Sequence, residues 1–324
     1  MAGITAIFSV SNIAGVKPKI DKNHCGYVLI ELNYSSIWSI MKSILLPTDF
    51  SANSVNAIHY AIQLFRDFRC EFYILNVQKV SSFVSDDLLT MQPSTTLYQN
   101  LIDSAKKNIE KIIAEIRAEY RTENHLYHSI VDYDNFIDAI NQTVRAKQID
   151  YIVMGTQGAT GAEKVLFGSN TVRVMQRCSC PVLAVPENCS YRPLNKIVFT
   201  SNYHSQYKLD ELKPLRDLAE YFNSKITVIH LTHGEPLSKN QQNNKAFLDD
   251  YFSDLKHEFV SIESDTLFET IENYLSVLNV DLLAMMSRRH SFLERLFTRH
   301  TVETFAFHVK TPFLVMENTG KLLQ

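Results

Sequence analysis

The sequence predicts an α/β protein in which two doubly wound domains follow one another, each a five-stranded parallel sheet with helices on both faces. Three observations predict it. Short, near-continuously apolar runs alternate with stretches of helical periodicity, which is how strands buried on both faces read between the helices that cover them. The pattern recurs once along the chain. The length, 324 residues, holds two domains of ordinary size.

Taken in order, residues 1–40 carry no sustained period and contain the only tryptophan, Trp38. The apolar piece 4–10 is short and has no cationic stretch before it, a poor secretory signal. This segment is read as a disordered or non-native N-terminal extension, with an ordered arm as the alternative, and Met41 as the start of the folded domain. Apolar runs at 43–48, 71–77, 126–131, 150–154 and 181–185 are the five strands of the first half. Ser51 is a candidate N-cap for a helix that aligns Val55, Ile58, Ala61, Ile62 and Phe65 on one face. Leu97, Leu101, Ala105, Ile109, Ile112, Ile116 and Tyr120 form a second stripe, and Phe136, Ile137, Ile140 and Val144 a third. A short helix over 171–177 follows Gly168 and Ser169.

The second half echoes the first. Residues 195–201 resemble 41–47, 225–231 resemble 70–77, 280–285 resemble 149–154, and 311–317 resemble 180–186. Asp150 to Asp281 spans 131 residues, and so does Pro181 to Pro312. The domains expected are 41–186 and 195–318, joined by the polar segment 187–194.

Composition narrows the function. Lys and Arg number 32 against 35 Asp and Glu, a net charge of −3. A strongly basic nucleic-acid binder is excluded on that ground, because such proteins need excess cations to displace phosphate counterions. No run approaches the ~18 apolar residues of a membrane span. Five cysteines make no disulfide framework and point to a reducing, cytoplasmic setting. Cys178 and Cys180 are one residue apart, without the spacing of a zinc knuckle, and are read as small residues entering a buried strand. His125 and His128 stand three apart on a strand and so point to opposite faces, which argues against a metal pair.

The informative segment follows the fourth strand: Gly155, Gly158, then Gly168, Ser169 and Asn170 at the start of a helix. Ligands of open α/β sheets bind beyond the carboxyl ends of the strands. Glycines there allow backbone to approach a ligand and to take positive φ, and a helix N-terminus offers N–H groups to a phosphate. Glycine spacing alone also describes a plain flexible connector. Neither GxxxxGK[ST] nor GxGxxG is present. Asp49, just past the first strand, is placed to accept bonds from a ribose hydroxyl or an adenine amine, or else to serve the following helix N-terminus. Val77 ends the second strand beside it.

Gly155-x2-Gly158-x9-Gly168-Ser169 resembles the ATP-binding signature of universal stress proteins, and Thr48-Asp49-Phe50-Ser51 and 180–186 resemble the same family. The resemblance covers 41 to about 318. It implies the strand order 3-2-1-4-5 and a pseudo-dimer formed within the chain through the two fifth strands, with further homo-oligomers open. It implies ATP as ligand, with Asp49 and Val77 at the adenosine and Gly155, Gly158, Gly168, Ser169 and Asn170 around the phosphates. Mg²⁺ would be held mainly by phosphate oxygens and water. A stress-response regulator is the implied role. A slow ATPase or phosphoryl-transfer enzyme is the alternative, but Glu163 and Lys164 are the loop's only ionisable residues and no nucleophile or base is assignable. The signatures of adenylating enzymes with related folds are absent.

The second half departs from the pattern. Met286, Arg289 and Thr298 stand where the three glycines would, and no carboxylate follows its first strand. Arg288, Arg289, His290, Arg295, Arg299 and His300 concentrate positive charge there. That loop reads either as a site for an anion or an acidic protein partner, or as a solvated face over packed Phe292, Leu293, Leu296 and Phe297.

Overall fold

The computed structural model describes residues 41–78, 95–133, 135–156, 168–232, 234–264, 267–287 and 311–319. Expectations for residues 1–40, for Gly158 and for the 288–300 loop lie outside these. In the first half β1 (Lys42–Pro47), α1 (Ala52–Leu64), β2 (Cys70–Val77), α2 (Thr95–Tyr120), β3 (His125–Asp132), α3 (Phe136–Lys147), β4 (Tyr151–Gly155), α4 (Ser169–Arg177) and β5 (Val182–Val185) alternate as expected. The second half has β6 (Lys196–Thr200), α5 (Leu209–Tyr221), β7 (Lys225–Thr232), α6 (Lys239–Tyr251), β8 (His257–Glu263), α7 (Leu267–Leu278), β9 (Leu282–Ser287) and β10 (Phe313–Glu317).

The local chemistry of each element is simple. Ser51 caps α1 by accepting a bond from the Ser54 N–H at 3.2 Å. The helix then buries Ala57, Ile58, Ala61 and Ile62. Asn135 caps α3 in the same way through Ile137, and Gln148 ends it in the left-handed region at φ 50°. Ala105, Ile109, Ile112 and Ile116 of α2 are buried, as their spacing predicts.

The ten strands of the described residues form one sheet in the order β3-β2-β1-β4-β5-β10-β9-β6-β7-β8. Each half therefore has the order 3-2-1-4-5, and its strand pairs are parallel. The join is the antiparallel pair β5–β10, where Leu183 faces Leu314. Those two leucines occupy equivalent places in the halves, so a pseudo-two-fold axis passes between them. Pairing covers two edges whose N–H and C=O groups would otherwise be open. One face of the sheet packs Leu45, Ile152 and Val182 with Val198, Leu283 and Val315, a core cluster continuous across the join.

Asp150 and Asp281 repeat one role at the amino ends of the strands. Asp150 Oδ2 accepts the Ser43 N–H at 2.8 Å, and Asp281 Oδ2 accepts those of Asn195 and Lys196 at 2.9 Å each. The link between the halves closes on the same group, since Arg192 pairs with Asp281 at 2.6 Å and donates to the Val280 carbonyl at 2.7 Å.

Candidate functional site

The turn after β1 is built by side chain–backbone bonds. Thr48 is buried, and its Oγ1 accepts the Phe50 N–H at 3.0 Å. Ser54 Oγ donates to the Ser51 carbonyl, so Thr48 donates its hydroxyl to Ser54 Oγ at 2.9 Å. Asp49 Oδ1 accepts the Ser51 N–H at 3.1 Å. Phe50 takes φ 64° in consequence. The exposed Asp49 carboxylate is thereby held at the carboxyl end of β1 and just ahead of the positive end of α1. Asn76 of β2, a buried amide, donates to the Thr48 carbonyl at 2.8 Å and ties this turn to the neighbouring strand. Val77 follows it, half-buried, with part of its side chain against the core and the rest at the strand's carboxyl end.

The end of β4 meets this turn. Ile44 stands opposite Tyr151 and Leu45 opposite Ile152, which brings Gly155 level with Thr48. Asn53, on the first turn of α1, lies directly against Gly155. The Gly155 carbonyl accepts the Thr171 hydroxyl at 2.9 Å, and the Thr156 carbonyl accepts the Gly168 N–H at 2.5 Å. Both ends of the glycine loop are thus fastened at one point, with residues 157–167 between them outside the described part. Gly168 is the N-cap of α4, at φ −61°, and makes no side-chain cap bond. Ser169 and Asn170, both exposed, form the helix's first residues, and no acidic side chain stands in its first turn.

Asp49, Val77, Gly155, Gly168, Ser169 and Asn170 are therefore all brought to the carboxyl end of the first half's strands. One expectation needs correcting. Positive φ is not what Gly155 is there for: among the described glycines only Gly234 adopts it. Four residues of the constellation escape a reading of the sequence: Asn53, Asn76, Thr156 and Thr171. Asn76 leaves a signal, a polar residue inside an apolar strand.

The second half keeps the turn and changes the chemistry. Ser201 Oγ accepts the Tyr203 N–H at 3.0 Å, and Asn202 Oδ1 accepts the His204 N–H at 3.1 Å. Tyr203 has φ 56°, as Phe50 has 64°. Asn202 thus stands in the place of Asp49 with a carboxamide for a carboxylate. His230 replaces Asn76, bonding the Ser201 carbonyl through Nδ1 at 3.0 Å. Met286 takes the place of Gly155, and the Ser287 hydroxyl next to it donates across the join to the Met175 carbonyl at 3.1 Å.

Known proteins resemble this chain in sequence and in fold. The profile of the universal stress protein family matches residues 41–186. Universal stress protein MJ0531 of Methanocaldococcus jannaschii is 32% identical over 170 residues, which cover 49% of this chain and 94% of that protein. The chain belongs to the universal stress protein family. Solved structures extend the likeness in fold over both halves. A universal stress protein from Archaeoglobus fulgidus superposes with a TM-score of 0.61 at 15% identity, covering 85% of this chain and 96% of the other. The functionally unknown protein PA1789 from Pseudomonas aeruginosa gives 0.54 at 13% identity over 87% and 94%. At such identities these two carry the fold alone. In this family member, no described helix is long and apolar enough to cross a membrane. Among the described residues no group of three or more His, Cys, Asp or Glu is arranged to hold a metal ion.

Proposed function

We propose that the first half, 41–186, binds ATP, and that the chain acts as a nucleotide-responsive regulator in stress response. The observation that carries this reading is the meeting, at one sheet end, of the Asp49 turn with a helix whose N-cap is Gly168. A glycine cap occupies none of the helix's leading N–H groups, which suits them to a phosphate. Ser169 and Asn170 add a hydroxyl and a carboxamide beside them. The residues present fit an anionic ligand: a carboxylate-bearing turn for the sugar or base, a half-buried valine for a ring face, and a helix start without acidic neighbours. Gly158 belongs to the same phosphate-facing loop in this reading. Mg²⁺ would travel with the phosphates, its remaining positions filled by water.

The second half, 195–318, is on this reading a degenerate copy that completes the pseudo-dimer. Its Met286 carries a side chain into the place of the loop's first glycine, and Asn202 removes the carboxylate. The test is calorimetric titration of the full chain with ATP and Mg²⁺, beside Gly158→Arg, which copies Arg289. Saturable binding in the parent and its loss in a variant with unchanged thermal unfolding is the expected result. Equal affinity in both would place the ligand elsewhere.

A further inference from the structure

We propose that Asn53 is a positioning residue of the candidate site, and that Gly155 is glycine because of this side chain. The binding part of the proposal rests on the ATP reading; the packing part does not. A Cβ built on Gly155 would lie 2.8 Å from both Cγ and Nδ2 of Asn53 and 2.9 Å from its Oδ1. Real Cβ atoms do not approach other atoms so closely, so either the carboxamide or the strand would have to move. Asn53 is 4% exposed, short, and close to its own backbone, which leaves it little room to yield. The Gly155 backbone does not take positive φ, so conformation gives no separate reason for glycine.

The contact has a consequence for the site because the same stretch of chain is gripped from both sides. Asn53 presses on Gly155 from α1, while Thr171 and Gly168 of the α4 start bond the Gly155 and Thr156 carbonyls. The spacing between the Asp49 turn and the N-terminus of α4 is framed by the β1–β4 pairing and adjusted by one carboxamide lying against one glycine. The second half supplies the contrast. Where Met286 replaces the glycine, the connection 48–51 is replaced by the longer 201–208, and whereas α1 packs chiefly on β4, the strand that carries Gly155, α5 packs chiefly on β10 rather than on β9, the strand that carries Met286.

A double-mutant cycle tests this with Gly155→Ala, Asn53→Ala, the double variant and the parent, each as the full chain. Thermal unfolding and calorimetric titration with ATP and Mg²⁺ are the two readouts. Gly155→Ala in the parent should lower Tm by about 3–10 °C, the cost of overpacking, and weaken ATP binding at least about tenfold. On the Asn53→Ala background the same substitution should cost less than about 2 °C and return most of the lost affinity, because removing the carboxamide leaves room for the new methyl. If Gly155→Ala does not fold, recovery of folding in the double variant carries the same meaning. An equal loss of Tm in both backgrounds would overturn the proposal. So would an unchanged Tm with ATP binding lost equally in both, which is what a glycine kept for close approach of ligand predicts. Should the parent bind no ATP, the ATP reading fails while the Tm cycle still decides the packing of Asn53 on Gly155.

Discussion

Two buried histidines, His125 and His230, are each fixed in one tautomer by a backbone carbonyl. His125 bonds the Phe65 carbonyl through Nε2 at 3.1 Å and Thr122 Oγ1 through Nδ1 at 2.8 Å. A carbonyl only accepts, so Nε2 bears the proton and Nδ1 takes the threonine hydroxyl. His230, with its ring 4.8 Å from that of Tyr203, donates through Nδ1 to the Ser201 carbonyl by the same logic. Burial lowers both pKa values below the ordinary 6.5; His204 and Lys245 push His230 further down by charge repulsion. A depressed histidine favours the fold while neutral. Its contribution is complete above pH ~6.5 and is lost as the pH falls below it, because the unfolded chain then binds the proton first. Tm should fall between pH 7 and 5. His230→Asn keeps a donor to Ser201, as Asn76 does to Thr48, and should make that fall shallower when unfolding is followed across the pH range. A variant with the parent's pH slope would show that His230 does not contribute to it.

At the scale of the element, α4 differs from the side-chain-capped helices. Ser51, Asn135 and Ser238 cap α1, α3 and α6 with side-chain bonds, whereas Gly168 gives α4 none. The φ of −61° at Gly168 is open to any residue, so glycine is not demanded by the backbone. Gly168→Asp should therefore raise α4 stability by a few tenths of a kcal/mol, since aspartate is the better cap. The same carboxylate would occupy the N–H groups and repel a phosphate, so ATP affinity should fall at least about tenfold. Thermal unfolding and titration on one sample read the two effects, which have opposite signs. A loss of stability with unchanged affinity would separate α4 from the ligand.

For the whole molecule, the join is symmetric in its strands and unlike in its side chains. Leu183 and Leu314 meet on the pseudo-axis, yet Lys42 pairs with Asp217 at 3.3 Å, the Tyr151 hydroxyl donates to the Pro214 carbonyl at 3.0 Å, and the Tyr221 hydroxyl donates to Asp67 at 2.7 Å. In each, a first-half residue meets α5, and α5 differs from α1 at these points, with Asp217 standing where α1 has Tyr60. Burial holds the Tyr151 hydroxyl well above its usual pKa, in its donating form. Leu183 is 1% exposed, so Leu183→Lys should lower Tm by roughly 10 °C, with both halves unfolding together. Calorimetry resolving two independent transitions in the parent would contradict a shared core.

Much of this was legible in the amino-acid order, for reasons of period and burial. Strands of a parallel sheet are covered on both faces, so β1, β2, β4 and β5 read as apolar runs, and their counterparts repeat them. Ser51 was legible as a cap because capping is local. The third strand of the second half, β8, was not: it lies at the sheet edge, half-buried, and its three apolar residues, Phe259, Val260 and Ile262, are interrupted and flanked by polar ones without a regular period. The candidate site was legible as residue types at strand ends, since a parallel sheet gathers all those ends on one side. Its construction was not. That Asn53 fills the space over Gly155, and that Asn76 and His230 hold equivalent carbonyls, are contacts between segments far apart in the chain or set by register between strands. Sequence by itself determined the alternation, the repeat and the chemical types at each turn, because these depend on neighbours along the chain. Only the tertiary structure decided which glycine is kept by packing and which atoms meet across the join, because close packing is settled by whatever the fold brings alongside.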